Sequence, residues 1–153
     1  MSHVSDEIDQ RADDLFRALS IDNAIAPWED LANFAPGLGA QVRYGLGAVF
    51  TRPGLDMRTR ELVTMCMLAA LGGGDQQLAF HMGGALRVGA TPEEVVEALT
   101  LVSVCAGLPR GINGMKVARE VFAKLGIETS PPVQLSRLDS TDGPAISEAG
   151  ERL

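Results

Sequence analysis

With 153 residues the chain can bury one substantial core and is too short for two independent domains. Its 20 acidic against 13 basic residues leave a net charge of −7, which excludes a nucleic-acid surface built from clustered cations. No run approaches the roughly 18 apolar residues of a membrane span, and the opening "MSHVSDEIDQ" is acidic where a secretory leader is basic and then apolar, so the expectation is a cytoplasmic protein without a membrane partner. Glycine and proline fall between apolar blocks that Ala, Leu, Glu and Arg fill, which predicts an all-α fold. Cys66 and Cys105 sit far apart in apolar runs, with neither a Cys-x-x-Cys pair nor metal-ligand spacing; they read as buried thiols, and no metal site is expected.

Residues 4–19 carry apolar side chains at 4, 8, 12, 15, 16 and 19, one face of an amphipathic helix. In "PGLGAQVRYGLGAVFTRPG" Leu38, Val42, Leu46, Val49 and Phe50 again follow helical spacing, but Gly45 and Gly47 weaken an isolated helix, so close packing must hold it. A helix over 56–71 follows, with Asp56 as N-cap and "GGG" at 72–74 as its stop. Asp75 is the expected cap of the next helix, 75–88, on which Leu78, His81, Met82 and Ala85 form one stripe; the short loop makes the two an antiparallel hairpin.

In "GATPEEVVEAL" Thr91 is the N-cap, Pro92 the first helical residue and Glu94 the partner that completes a capping box. That helix runs to about Gly107 and is apolar on nearly every side from Leu99 to Ala106, so it needs cover over most of its circumference, which a partner subunit would supply. "GLPRG" reads as a second break before "INGMKVAREVFAKL", which Gly126 closes. The expected division is an N-terminal helical segment over 1–35, a core over 36–126 and a tail over 127–153, rich in Pro, Ser and charge, that is flexible or clasps a neighbour.

Chemistry concentrates in "RTRELVTMCMLAALGGGDQQLAFH", residues 58–81. Arg58 and Arg60 stand in the first turns of a helix, where cations oppose the dipole by about 0.3–1 kcal/mol each, so they call for an anionic partner, either a carboxylate of the protein or one of a ligand. Glu61 is either a solvated or ion-paired side chain or a working one. His81 is either a satisfied core histidine or a proton carrier, with Gln77 one turn earlier on the same face and within hydrogen-bonding reach. Arg110, after "GLP", is either a solvent-facing charge or a further anchor for an acid.

These stretches together resemble the core of the carboxymuconolactone decarboxylase family, within the alkylhydroperoxidase D-like superfamily. The likeness covers about residues 36–125 and rests on "RPGLDMRTREL", on His81 placed eight residues before the glycine of "VGATPEEV", and on "AGLP" in the next helix. It implies an all-helical bundle that needs no cofactor and assembles as a trimer or hexamer, with sites near subunit contacts. The peroxidase branch carries Cys-x-x-Cys before its helix histidine; those places here hold Gly74 and Gln77, against a dithiol peroxidase. The chain also departs from the decarboxylase branch, with Gln77 at a usually acidic place, Cys105 at an aromatic one, and Ala48 where "GExW" has its glutamate.

The resemblance implies decarboxylation of a small carboxylated unsaturated lactone such as 4-carboxymuconolactone, with His81 as general acid, Glu61 setting its tautomer, and Arg58, Arg60, Gln77 and Arg110 holding the substrate. The departures leave two alternatives open: a related isomerase or cyclase acting on a natural-product intermediate, and a non-enzymatic binding or assembly module.

Overall fold

The computed structural model describes residues 2–22 and 24–128; the tail expected to be flexible or partner-clasping lies, from residue 129 onward, outside the described residues. Among the described residues the chain is helical throughout, without a strand. Helix α1 (Ser2–Leu19) buries Ala12, Phe16 and Leu19 along the stripe that the sequence pattern predicts. Short α2 (Pro27–Asp30) and α3 (Pro36–Tyr44) follow, each started by a proline whose missing N–H costs nothing in a first turn.

From α3 the chain passes directly into a π-helical segment, Gly45–Phe50, where helical spacing had predicted an ordinary helix. The glycine at 47 explains how this wider turn is held: a Cβ there would fall 2.0 Å from the carbonyl oxygen of Ile8, so α1 and the segment meet backbone to backbone. Arg43 fastens the same corner, donating to Asp9 at 3.1 Å and Asp13 at 2.7 Å, with its guanidinium 5.7 Å from the ring centre of Trp28.

Helix α4 (Met57–Leu71) starts as its sequence predicts, with the Asp56 carboxylate accepting the Thr59 N–H at 2.9 Å and the Thr59 hydroxyl at 2.8 Å. These two bonds, the backbone one first, hold the Asp56 carboxyl below its usual range. Helix α5 (Asp75–Arg87) departs from expectation: Gly74, not Asp75, is the N-cap, no side chain caps it, and Asp75 lies in the first turn, where its charge still favours the helix dipole.

Helix α6 (Pro92–Ala106) carries the complete capping box, with Thr91 Oγ1 accepting the Glu94 N–H at 3.2 Å and Glu94 accepting the Thr91 N–H at 2.9 Å. Helix α7 (Leu108–Leu125) starts a turn earlier than "GLPRG" suggests. Gly107, at φ 102°, makes the whole corner, and Pro109 sits in the first turn of the new helix rather than before it.

Met65, Met82, Val95, Leu99, Val121 and Phe122 form the centre of the core between α4, α5, α6 and α7. The cover expected around α6 is only partly supplied by this chain: Val95, Leu99 and Val102 are buried, but Leu101 and Val104 are 65% and 78% exposed. Val63, Met67 and Leu71 make an exposed stripe on α4, and Leu108 and Ile112 extend the exposed apolar surface onto α7. No helix among the described residues is long and apolar enough to cross a membrane.

Candidate active site

Glu61, one turn into α4, and His81, in the middle of α5, face each other across the hairpin that the glycine run 72–74 closes. The two are joined at 2.8 Å between His81 Nδ1 and Glu61 Oε2. A carboxylate only accepts, so Nδ1 carries the proton and donates it, which leaves Nε2 as the ring's free nitrogen. Glu61 is 0% exposed and the His81 side chain 13%. The second oxygen, Glu61 Oε1, is buried without a hydrogen-bond partner among the described residues.

Leaving a buried carboxylate oxygen without a partner costs about 1–3 kcal/mol or more for a charged group, which makes Glu61 an expensive residue at a position where packing alone would favour an apolar one. Space for it comes from Gly84, one turn beyond His81. A Cβ at that position would lie 3.0 Å from Glu61 Oε2 and 3.1 Å from Leu19 Cδ2. The small residue therefore sets how closely α4 and the end of α1 approach α5.

The imidazole is walled by aromatic rings. Phe50, delivered by the π-helical segment, lies 5.5 Å from it at 31°, and Phe80 meets it edge-on at 5.2 Å. Phe16 stacks on Phe80 at 5.0 Å and meets Trp28 edge-on at 5.4 Å, so the aromatic wall reaches α1 and α2. Phe50 enters the sequence reading only through its helical spacing, because its contact with His81 depends on the extra residue per turn of the π-helical segment.

His81 and Gln77 line a cavity of about 650 Å3 between α5, the α1–α2 connection and the end of α7. Its apolar surface includes Leu46, Ala79 and Phe80, and its polar groups include Gln76, Asp22, Asp30 and Lys124. Sequence reasoning found His81 and Gln77 and missed Asp22, Asp30 and Lys124, which stand at helix ends and in a connection without any motif around them.

The arginines singled out by sequence lie elsewhere. Arg58 meets its anion within the protein: it pairs with Glu94 and donates through Nε to the Gly89 carbonyl at 3.2 Å, tying α4 to the α5–α6 turn. The Thr91 backbone bond and then this guanidinium hold the Glu94 carboxyl below its usual range. Arg60 donates to the carbonyls of Arg52 at 2.6 Å and Leu55 at 3.2 Å, bracing the loop before α4. Arg110 reaches back over Gly72, where a Cβ would fall 1.6 Å from its Nη1, at the C-terminal end of α4. None of the three lines the cavity.

Chemically, the site offers one imidazole, oriented by a buried carboxylate, on the wall of a partly apolar cavity. Such an arrangement can hand a proton to a carbon or oxygen centre, or take one from it. It lacks a thiol pair: Cys105 is exposed on α6, and Cys66, half-buried on α4, has its thiol pushed up by desolvation and away from reactivity.

The chain is similar to known proteins over its middle part. Over 85 residues the chain is 42% identical to the 4-carboxymuconolactone decarboxylase of Acinetobacter baylyi, a match covering 56% of this chain and 63% of that protein. It is 32% identical over 90 residues to the nitrosuccinic acid decarboxylase of Metarhizium robertsii, covering 57% and 60%. A 15.0 kDa protein of Paracoccus denitrificans is 34% identical over 79 residues, covering 51% and 59%. The matches thus span about three fifths of the length of each relative. The model of the carboxymuconolactone decarboxylase family matches residues 36–120, the stretch that holds Glu61, Gln77 and His81, and the chain belongs to that family.

Proposed function

We propose that the protein is a decarboxylase acting, without a cofactor, on a small carboxylated unsaturated lactone of the 4-carboxymuconolactone kind. The observation that carries this reading is the His81 imidazole on the wall of a cavity, paired with buried Glu61, in a chain whose family and two of whose relatives bear decarboxylase names.

In such a substrate the carboxylate stands on the carbon next to the ring double bond. When its C–C bond breaks, CO2 leaves and the electron pair moves through that double bond to the lactone carbonyl, giving an enolate. His81, protonated on both nitrogens, then gives its Nε2 proton to the carbon end of the enolate and regains one from water. Glu61 accepts from Nδ1 throughout, keeping the proton to be transferred on the nitrogen left free. Phe50 and Phe80 keep one side of the imidazole apolar, and Gln77 is the amide within the cavity suited to an acid or carbonyl oxygen. The exposed apolar surface of α4, α6 and α7 supports self-association, for which the sequence resemblance implies a trimer or hexamer.

The test is loss of the ultraviolet absorbance of 4-carboxymuconolactone with CO2 trapped in parallel. Turnover by the wild type that falls by about 10²–10⁴-fold in a correctly folded His81→Ala variant is the expected result. Absence of turnover by the wild type overturns the substrate assignment. In that case the same His81 proton carrier would serve an isomerisation or cyclisation, and the cavity has room for an intermediate larger than a lactone.

A further inference from the structure

A substrate that loses one carboxylate and keeps another has to have the two handled oppositely. The one that stays can be held by a cation, because its charge does not change. The one that leaves becomes neutral CO2, so a cation on it would stabilise the ground state more than the transition state and slow the reaction. Where the cavity keeps its cations therefore tells which way such a substrate lies.

Among the described residues Lys124 is the one lysine or arginine that lines the cavity. It stands in the last turn of α7, with Asp22 of the α1–α2 connection 3.7 Å from its Nζ; their side chains are 63% and 57% exposed. A pair this long and this exposed holds weakly, so an incoming carboxylate can take the place of Asp22. Every other charged group on the wall, apart from His81, is a carboxylate, Asp22 or Asp30, which turns an acid away. The rest of the wall is apolar or neutral, with Leu46, Ala79, Phe80 and the amides Gln76 and Gln77 among its residues, and any charge on the imidazole is already met by Glu61 at 2.8 Å. Apart from the imidazole, the cavity thus has a single fixed cation to attract an anion, and it stands at the end of α7.

We infer that Lys124 anchors the carboxylate the substrate retains, which leaves the departing carboxylate to lie toward His81, away from any lysine or arginine of the wall. The inference rests on the decarboxylase reading for its purpose, but the anchor itself is a binding site that can be tested without turnover. Asp22 is its internal competitor, occupying Lys124 when no acid is bound and yielding it to one.

The probe is (5-oxotetrahydrofuran-2-yl)acetate, a saturated lactone acid that cannot decarboxylate through a ring double bond, compared with its uncharged primary amide. Binding of each to the full chain is titrated by NMR chemical shifts. The wild type is expected to bind the acid about fivefold more tightly than the amide, the size of a partly exposed charge-assisted contact. That preference disappears in Lys124→Met, persists in Lys124→Arg and grows in Asp22→Asn. Equal binding of acid and amide by the wild type, or a preference that survives Lys124→Met, overturns the anchor. Because both ligands are unreactive, loss of the anchor and failure of the decarboxylase reading show separately: the first in these titrations, the second in the turnover assay.

Discussion

Replacing Glu61 with Met separates what the buried carboxylate does for catalysis from what it does for the fold. Met has the unbranched shape of Glu and adds no polar atom, so it can occupy the space beside Gly84. The substitution removes a fully buried carboxylate whose Oε1 has no partner, relieving a desolvation cost of several kcal/mol. It also removes one charge-assisted hydrogen bond to His81, a loss of about 1.5–3 kcal/mol. His81 can remain neutral at the cavity wall, so no buried charge is stranded. The balance is an expected gain of about 1–3 kcal/mol in unfolding free energy. Guanidinium denaturation at fixed protein concentration, followed by circular dichroism, reads it as a higher midpoint with an unchanged slope. Decarboxylation by the same variant is expected to fall by at least about 100-fold. A destabilisation beyond about 2 kcal/mol would refute the reasoning, since it would mean that the carboxylate is satisfied and holds α4 to α5.

Further outcomes follow from the same geometry. Gly84→Ala places a methyl group 3.0 Å from Glu61 Oε2 and is expected to cost about 1–3 kcal/mol by overpacking, lowering kcat more than it raises KM because it moves the orienter rather than the ligand. Arg58→Met is expected to leave KM within about twofold of the wild type, since its guanidinium serves Glu94 and Gly89; a tenfold rise would restore a carboxylate-binding role to it. Asp56 and Glu94 have carboxyls held below their ordinary values of 3.8 and 4.5, so their stabilisation is complete above those values and is lost as pH falls through the lower folded ones. The stability gap between wild type and Asp56→Asn/Glu94→Gln should therefore be constant at neutral pH and narrow as pH falls below the ordinary carboxyl values of 4.5 and 3.8, as followed by denaturant midpoints. Leu101→Asp/Val104→Asp is expected to lower the mass seen in sedimentation, and a mass equal to the wild type's would remove the α6 face from any self-association.

Helix starts whose chemistry lies within four residues were legible in the sequence. Asp56 with Thr59, and Thr91 with Glu94, need only local geometry to bond, and both bonds are present where the spacing places them. "GLPRG" was misleading because glycine followed by proline marks a turn and also marks the first turn of a new helix; only the packing of α7 on α6 decides between them. The π-helical segment was illegible for a similar reason, since its extra residue per turn goes with a backbone contact between Gly47 and Ile8, 39 positions apart. In the site, the hairpin brought Glu61 to His81 from residues 20 apart, a juxtaposition that the sequence could raise only conditionally. Arg58 and Arg60 show the converse: their unfavourable placement did signal anionic partners, but the protein itself supplies Glu94 and a set of carbonyls. Lys124 gave no signal, being one cation in the last turn of a helix where cations are ordinary.

The cavity wall draws on two different parts of the chain. Leu46, Gln77, Phe80 and His81 lie inside the stretch that matches the family, residues 36–120, whereas Phe16, Ile21, Asp22, Asp30 and Lys124 lie before or after it. The proposed proton carrier thus lies in the family stretch, whereas part of the wall that would meet a ligand lies in the flanks. Exposed flank side chains such as Asp22 and Lys124 can be recharged without touching the Glu61–His81 pair, whereas Leu19 packs against Gly84 and Phe16 against Phe80, so the flank also holds the hairpin in place. Recharging Asp22 or Asp30 should accordingly alter ligand preference while leaving the packing of α1 on α5 intact, a route to retargeting the scaffold.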